Sequence, residues 1–256
     1  MKANRKYTVI SILSIAAFFA IWTLATDVLR LFPEYSLPSP IKVASTFVQK
    51  LTTKAPDGST LFQHLATSLK IALVGYAMGV GAGVPLGILM AWYEPVDKFV
   101  RPIFDLFRPI PTIAWIPLMI LWLGIGLLAK ATLIFIGAFI PSVVNAYTGI
   151  KQTSMVHIWV ARTFGASKLE TLWRIAIPSA LPEIFTGLRV ALGAAWMALI
   201  AAELLASSRG LGYMIQIGRM LSRPDIILVG MLSIGAVGAL LSFILRTAEK
   251  LLVGGR

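Results

Sequence analysis

The side chains able to do chemistry are few in this chain, and most of them interrupt oily stretches. Asp105 and Arg108 stand three apart beside a proline cluster, Arg189 and Glu203 break one long apolar run, and His64 and His157 are the only histidines. A charge at the centre of a bilayer costs about 2.5–3.5 kcal/mol on insertion scales, so each needs a partner or a watery cavity. Asp105 and Arg108 either pair across one helical turn or border a translocation path. Arg189 either snorkels toward the interface or serves the same path. Glu203 either lines a gate or reaches interfacial water, and Trp196 either faces the path or packs in a core. None of this is the chemistry of a catalytic centre. No serine or histidine is tied to a base, and neither histidine sits in an acidic cluster that would suggest a metal. Cysteine is absent, which excludes disulfides and thiolate metal ligands. No Gly-x-x-x-x-Gly-Lys-Ser/Thr phosphate loop occurs either, so no cofactor is expected on this chain.

The elements that must carry these residues follow from composition. Of 256 residues, 57% are hydrophobic and 13% charged, against about 25% charged in a soluble domain. The net charge of +12 is spread between apolar runs. It does not form a basic patch interleaved with aromatics, so it reads as a device for membrane orientation and not as a nucleic-acid surface.

The expected fold is all-α, a single polytopic domain over residues 1–256 with six transmembrane helices. Tyr7–Ala25 is uncharged, longer than a signal-peptide core and followed by no small-x-small cleavage site, which makes it an uncleaved first span. In the polar excursion 31–61, Ile41, Val43, Ala44, Phe47, Val48 and Leu51 recur at helical spacing, with Lys42 and Lys50 off the stripe. That predicts a short helix lying either on the membrane surface or on the protein's own outer face. The second span, 71–92, carries Gly75, Gly79, Gly83 and Gly87 four apart, a small-residue seam for close helix contact. Lys70 marks its outer end, and 94–101 reads as a charged turn. Pro109, Pro111 and Pro117 predict irregular backbone at the start of the third span, up to about residue 128. Spans at 131–150, 184–205 and 226–245 complete the set.

Six spans put both termini on one side. The segments on that side hold Lys2, Arg5, Lys6, Lys98, Arg101, Lys151, Arg162, Lys168, Arg174, Arg246, Lys250 and Arg256. The other side holds Lys42, Lys50, Lys54, Arg209, Arg219 and Arg223. Residues at span edges (Arg108 and Arg189 inside; Arg30, Lys70 and Lys130 outside) narrow the bias without changing its sign. The positive-inside rule therefore predicts cytoplasmic termini, which also puts the polar loop 151–182 in the cytoplasm.

Within that loop, Val160, Ala161, Phe164, Gly165, Ala166 and Ser167 mix small and apolar residues at helical spacing, and Ile175, Ile177, Pro178 and Pro182 are expected to end the helix and turn the chain. Trp159-Val160-Ala161, Gly165 four residues on, then nine residues and Ile175-Ala176-Ile177-Pro178 resemble the cytoplasmic coupling loop of ABC-importer permeases. There the first triplet is acidic-Ala-Ala and the last motif Ile-x-Leu-Pro. Leu37-Pro38-Ser39-Pro40, Arg108-Pro109 through Pro117-Leu118, Ala201-Ala202-Glu203 and Arg209-Gly210-Leu211-Gly212 are similar to the branch that imports nitrate, taurine and aliphatic sulfonates. The resemblance implies a type I importer permease in a bacterial inner membrane, itself non-catalytic and homodimeric. It further implies two cytoplasmic ABC ATPase subunits that carry ATP and Mg, and a periplasmic or lipid-anchored substrate-binding protein. Residues 160–161 and 164–167 become the ATPase-coupling surface. A secondary transporter driven by an ion gradient is the competing reading, and inverted repeats with paired broken helices would favour it.

Overall fold

A backbone inside lipid must satisfy its own polar groups, and an uncharged run does so as helix. The computed structural model describes residues 5–253, and among them the regular structure is helical, with no strand. Lys2 and Arg256 of the charge count lie outside the described residues, as do the side chains of Arg5 and Lys6. The helices are α1 (Arg5–Thr23), α2 (Pro40–Thr52), α3 (Leu61–Trp92), α4 (Glu94–Phe107), α5 (Ile116–Leu123), α6 (Leu127–Lys151), α7 (Met155–Thr163), α8 (Lys168–Thr171), α9 (Ile177–Leu205), α10 (Leu211–Met220) and α11 (Pro224–Val253). Five helical segments are long and apolar enough to cross a membrane: Val9–Val28, Leu61–Trp92, Leu127–Lys151, Lys168–Leu205 and Pro224–Leu251. Among the described residues the pair Glu94–Phe107 and Thr112–Leu123, bent by 82°, is long and apolar enough to make a sixth if it crosses as one unit. Pro109 and Pro111 remove the N–H groups that would have carried the ladder through the bend.

Two compact units share the chain, one built from residues up to 65 with 209–234, the other from 66–208 with residues from 235 on.

In the first unit, Ser39 caps α2 by accepting the Lys42 N–H, and Pro40 pre-sets its first turn. Both sides of α2 mix apolar and polar residues, Lys42, Ser45 and Gln49 being exposed. Its inward face is Val43, Thr46 and Lys50, all buried, while Ile41, Val48 and Leu51 point outward. Thr46 donates to Asp225 Oδ2 at 2.8 Å, and Arg223 holds the same carboxylate. Lys50, expected on the polar outer face, is instead buried, because Asp57 and two backbone carbonyls await its ammonium.

In the second unit, the four glycines of α3 all face α6. A Cβ at Gly75 would lie 2.6 Å from that of Ile134, at Gly79 2.6 Å from that of Ala138, and at Gly83 2.8 Å from the Phe139 carbonyl. Gly87 meets the Val143 carbonyl more closely still. The other side of α6 also meets α9 closely: a Cβ at Gly187 would lie 2.5 Å from that of Asn145, and Gly137 on Ala194 and Gly149 on Ala180 are less tight. The α9 stripe Ala191, Ala195, Ala198, Ala202 is buried. Tyr76 closes the set by donating from α3 to the Leu188 carbonyl of α9 at 3.0 Å.

Three local expectations need correction. Residues 94–101 form the start of α4 and not a turn; Pro95 enters the first turn, where its missing N–H costs nothing, and Asp97–Arg101 bridges one turn. α3 begins at Leu61, so Lys70 lies exposed along the helix instead of marking its end. Pro178 and Pro182 do not stop a helix. A π turn at Leu172–Ala176 leads straight into α9, and the Ile177 N–H reaches back to Leu172. The wider turn re-registers the carbonyls just where proline withdraws a donor.

Gly83→Ala and Gly81→Ala separate seam from surface. Alanine gains up to about 1 kcal/mol of helix propensity over glycine, and a Cβ at Gly81 meets nothing within 4 Å. Thermal melting of the purified protein should show Gly81→Ala unchanged or raised and Gly83→Ala lowered, the overpacking cost being about 1–3 kcal/mol. Equal behaviour of the two would show that α3 and α6 are not in contact there.

Candidate functional site

The polar loop before α9 folds into a short hook. α7 buries Ile158 and Ala161, three apart, and turns Met155, Val156, Trp159 and Val160 outward. Gly165 ends it in the left-handed conformation at φ 82°. The Gly165 N–H bonds the Arg162 carbonyl at 2.9 Å and the Ala166 N–H the Ala161 carbonyl at 3.0 Å, a Schellman stop. Ser167 then starts α8 with a capping box: its hydroxyl accepts from the Glu170 N–H, and the Glu170 carboxylate accepts from the Ser167 N–H. Lys168 lies over the Tyr93 ring at 4.9 Å, which ties the hook to the α3–α4 junction. Behind it Leu172 and Ala176 are buried with Ala91, Ala146, Ile150, Ala180 and Ile184.

The hook therefore exposes a set of large apolar side chains among polar ones such as Arg162 and Lys168, with Phe164 86% exposed at its tip and Leu169 and Trp173 beyond. Of the residues singled out in the sequence, Val160 and Phe164 belong to this surface, while Ala161 faces inward and Ala166 is half-buried. Gly165 is needed for its backbone angle, and a Cβ there meets nothing within 4 Å in this chain. Ser167 acts as a helix cap. Met155, Val156, Trp159, Leu169 and Trp173 were missed, although large apolar residues in a polar loop were the available signal.

The five candidate path residues have separate neighbours. Asp105 and Arg108 do not pair with each other. Both are exposed and border a pocket of about 270 Å³ with Met90, Phe104 and Tyr147, and the ion pair on this helix is Asp97–Arg101 at 3.0 Å. Arg189 pairs with Glu249 of α11 and donates to Thr186 Oγ1 at 3.0 Å, so it has no need to snorkel. Trp196 is 7% exposed and packs on Gly238. Glu203 is 1% exposed and reaches no interfacial water; Ser68 Oγ lies 2.8 and 2.9 Å from its two oxygens. Both are buried within the chain.

A buried polar cluster in the first unit went unseen in the sequence. Lys50 Nζ lies 2.6 Å from Asp57 Oδ1, and His64 Nε2 lies 3.3 Å from the same oxygen. His64 Nδ1 accepts from the Gly210 N–H at 3.1 Å, which fixes the proton on Nε2. Burial pushes the Asp57 carboxyl up, but hydrogen bonds from His64 and Lys50 overcome it and hold it below its ordinary value. Among the described residues no group of three His, Asp or Glu is placed to hold a metal.

Comparison with known proteins gives this architecture its family. Residues 83–254 match the binding-protein-dependent transport system inner membrane component. The chain belongs to that family. It is 40% identical over 232 residues to the taurine transport system permease protein TauC of Escherichia coli (strain K12), covering 90% of this chain and 82% of TauC. It is 32% identical over 241 residues to the putative aliphatic sulfonates transport permease protein SsuC of Bacillus subtilis (strain 168), covering 94% and 85%. The bicarbonate transport system permease protein CmpB of Synechocystis sp. (strain ATCC 27184 / PCC 6803 / Kazusa) is 32% identical over 248 residues, covering 96% and 89%. A chain of the MetNI methionine ABC transporter, solved in inward-facing conformations, shares the fold. Its TM-score is 0.63 at 20% identity, over 76% of this chain and 95% of that one. The protein is thus the multi-span permease subunit of an ABC importer, not itself an enzyme, and the ion-gradient reading is set aside.

Because the Asp57 carboxyl is depressed in the folded protein, its contribution to stability is complete above the ordinary carboxylate value of 3.8 and fades as pH falls through the lower folded value. Asp57→Asn should cost about 3–5 kcal/mol at pH 7, since it leaves the Lys50 charge buried without its partner. Denaturant unfolding should show that gap narrowing below about pH 4. A gap that does not change with pH would show that the charge at Asp57 is immaterial.

Proposed function

We propose that two copies of this permease, each acting as one domain over residues 1–256, form a single path across a bacterial inner membrane. Both termini face the cytoplasm, two ABC ATPase subunits holding ATP and Mg dock on the hooks, and a periplasmic or lipid-anchored binding protein delivers the solute. The observation that carries the coupling role is the row of exposed apolar side chains on the hook, Met155, Val156, Trp159, Val160, Phe164, Leu169 and Trp173, on a loop whose last part, from Lys168, runs without a break into α9. A displacement at Phe164 therefore enters the α3–α6–α9 packing directly. Gly165 and Ser167 keep the hook rigid. Asp105 and Arg108, bordering the pocket at the bend, are the path residues in this reading; Arg189, Trp196 and Glu203 hold the protomer together.

The cargo is a small anion or zwitterion imported from periplasm to cytoplasm. Taurine or another organic sulfonate is favoured over nitrate and bicarbonate by the 40% identity to TauC and the similarity to SsuC.

Coupling is tested by co-expressing Val160→Asp and Phe164→Asp with the cognate ATPase and binding protein, then measuring pull-down and taurine uptake. Burying an unpaired carboxylate at a contact anchor costs about 2 kcal/mol or more, so pull-down should weaken about 30-fold and uptake should fall with it while membrane insertion stays normal. Lost uptake with retained pull-down would assign the hook to transmission and not docking. Wild-type values of both would falsify the coupling role.

A further inference from the structure

Directly after the first membrane-crossing segment, Val9–Val28, the chain opens a pocket of about 580 Å³ between the end of α1 and the start of α2. That volume is in the range of small-ligand sites. Four charged side chains line it, two of each sign: Asp27, Arg30, Glu34 and Lys42. Lys42 and Glu34 pair with each other at 3.2 Å. Asp27 and Arg30 have no hydrogen-bonded or ionic partner among the described residues, although they stand three apart. Arg30 is also held at φ 47°, a left-handed backbone that a long side chain adopts only at a cost. An unpartnered cation and an unpartnered anion thus face one pocket at the mouth of a span.

The helix beside this pocket fixes the medium. α2 buries Thr46 and Lys50 and turns Ile41 and Val48 outward, at 71% and 64% exposure. Lys42, Ser45 and Gln49 share that outer side, and a face that mixes apolar and polar side chains suits a helix at a membrane interface. The pocket then sits at the depth of phospholipid headgroups.

We propose that this pocket binds the phosphoethanolamine headgroup of a membrane phospholipid. Arg30, assisted by Lys42, takes the phosphate through charge-assisted hydrogen bonds. Asp27, assisted by Glu34, takes the primary ammonium. The acyl chains run along the apolar end of α1. Choline carries no N–H and cannot reproduce the Asp27 contact, and phosphatidylglycerol brings no cation to it. The site is therefore selective among lipids that share the phosphate. The inference rests on the membrane-spanning reading of α1, which a reporter fused after residue 29 checks separately: a reporter on the same side of the membrane as the N-terminus would sink that reading, whatever the lipid preference.

The test is native mass spectrometry of the purified full-length permease titrated with phosphatidylethanolamine, phosphatidylcholine and phosphatidylglycerol of identical acyl chains. Wild type should retain phosphatidylethanolamine about tenfold better than either of the others, a difference equivalent to one extra charge-assisted contact. Asp27→Asn should remove the advantage over phosphatidylcholine, Asp27→Glu should keep it, and Arg30→Gln should weaken phosphatidylethanolamine and phosphatidylcholine together. Soluble glycerophosphoethanolamine at equal concentration should fail to compete. Equal retention of all three lipids by wild type, a preference that survives Asp27→Asn, or competition by the soluble headgroup as strong as by the lipid would each overturn the proposal.

Discussion

Close approach of α3, α6 and α9 is the constraint on which the second unit depends. Lipid tails are as apolar as leucine, so no hydrophobic force presses these helices together inside a membrane; packing contacts must do it. That packing needs small residues, and they are present on both faces of α6. The α3 glycines lie against Ile134, Ala138, Phe139 and Val143, and α9 brings Gly187 and Ala180 against Asn145 and Gly149. With backbones this near, dispersion contacts accumulate along whole helices, and a shift of one helix is felt by the next.

The hook draws its mechanical meaning from that packing. An apolar surface on a mobile loop would dissipate any push. Here a Schellman stop, a capping box and a Lys168–Tyr93 contact hold α7 and α8, and the π turn carries the chain into α9 with its prolines inside the helix. Leu172, Ala176 and Ala180 lie in the same buried cluster as Ala91 of α3 and Ala146 and Ile150 of α6. In the proposed mechanism, work done at Phe164 reaches the membrane helices through this cluster.

How far the sequence was legible depended on whether a feature was local. The glycine seam could be read because a four-residue spacing marks one face of a helix wherever the partner comes from. The break near Pro109 and Pro111 could be read because proline acts on its own neighbours. Pro178 and Pro182 misled for a related reason: the π turn that accommodates them has no residue signature. Charge partners were beyond reach. Ser68 and Glu203 are 135 positions apart and Thr46 and Asp225 are 179 apart, so only the fold brings them together. Lys50 sat where a solvent-facing lysine would sit in the helical period, and nothing nearby announced that Asp57 would turn back to meet it. Gly165 stood out by its spacing, but spacing alone does not reveal the left-handed helix stop that the fold gives it.

The account's central claim is that the apolar hook lies in the cytoplasm, where an ATPase can reach it. Since the chain has no cysteine, a single Lys168→Cys substitution places one thiol on the hook's exposed surface. Intact cells are treated with a membrane-impermeant maleimide, and labelling is compared before and after permeabilisation. The account predicts no labelling until the membrane is opened and full labelling afterwards. Labelling of that thiol in intact cells would place the hook on the outside and contradict the coupling mechanism at its root.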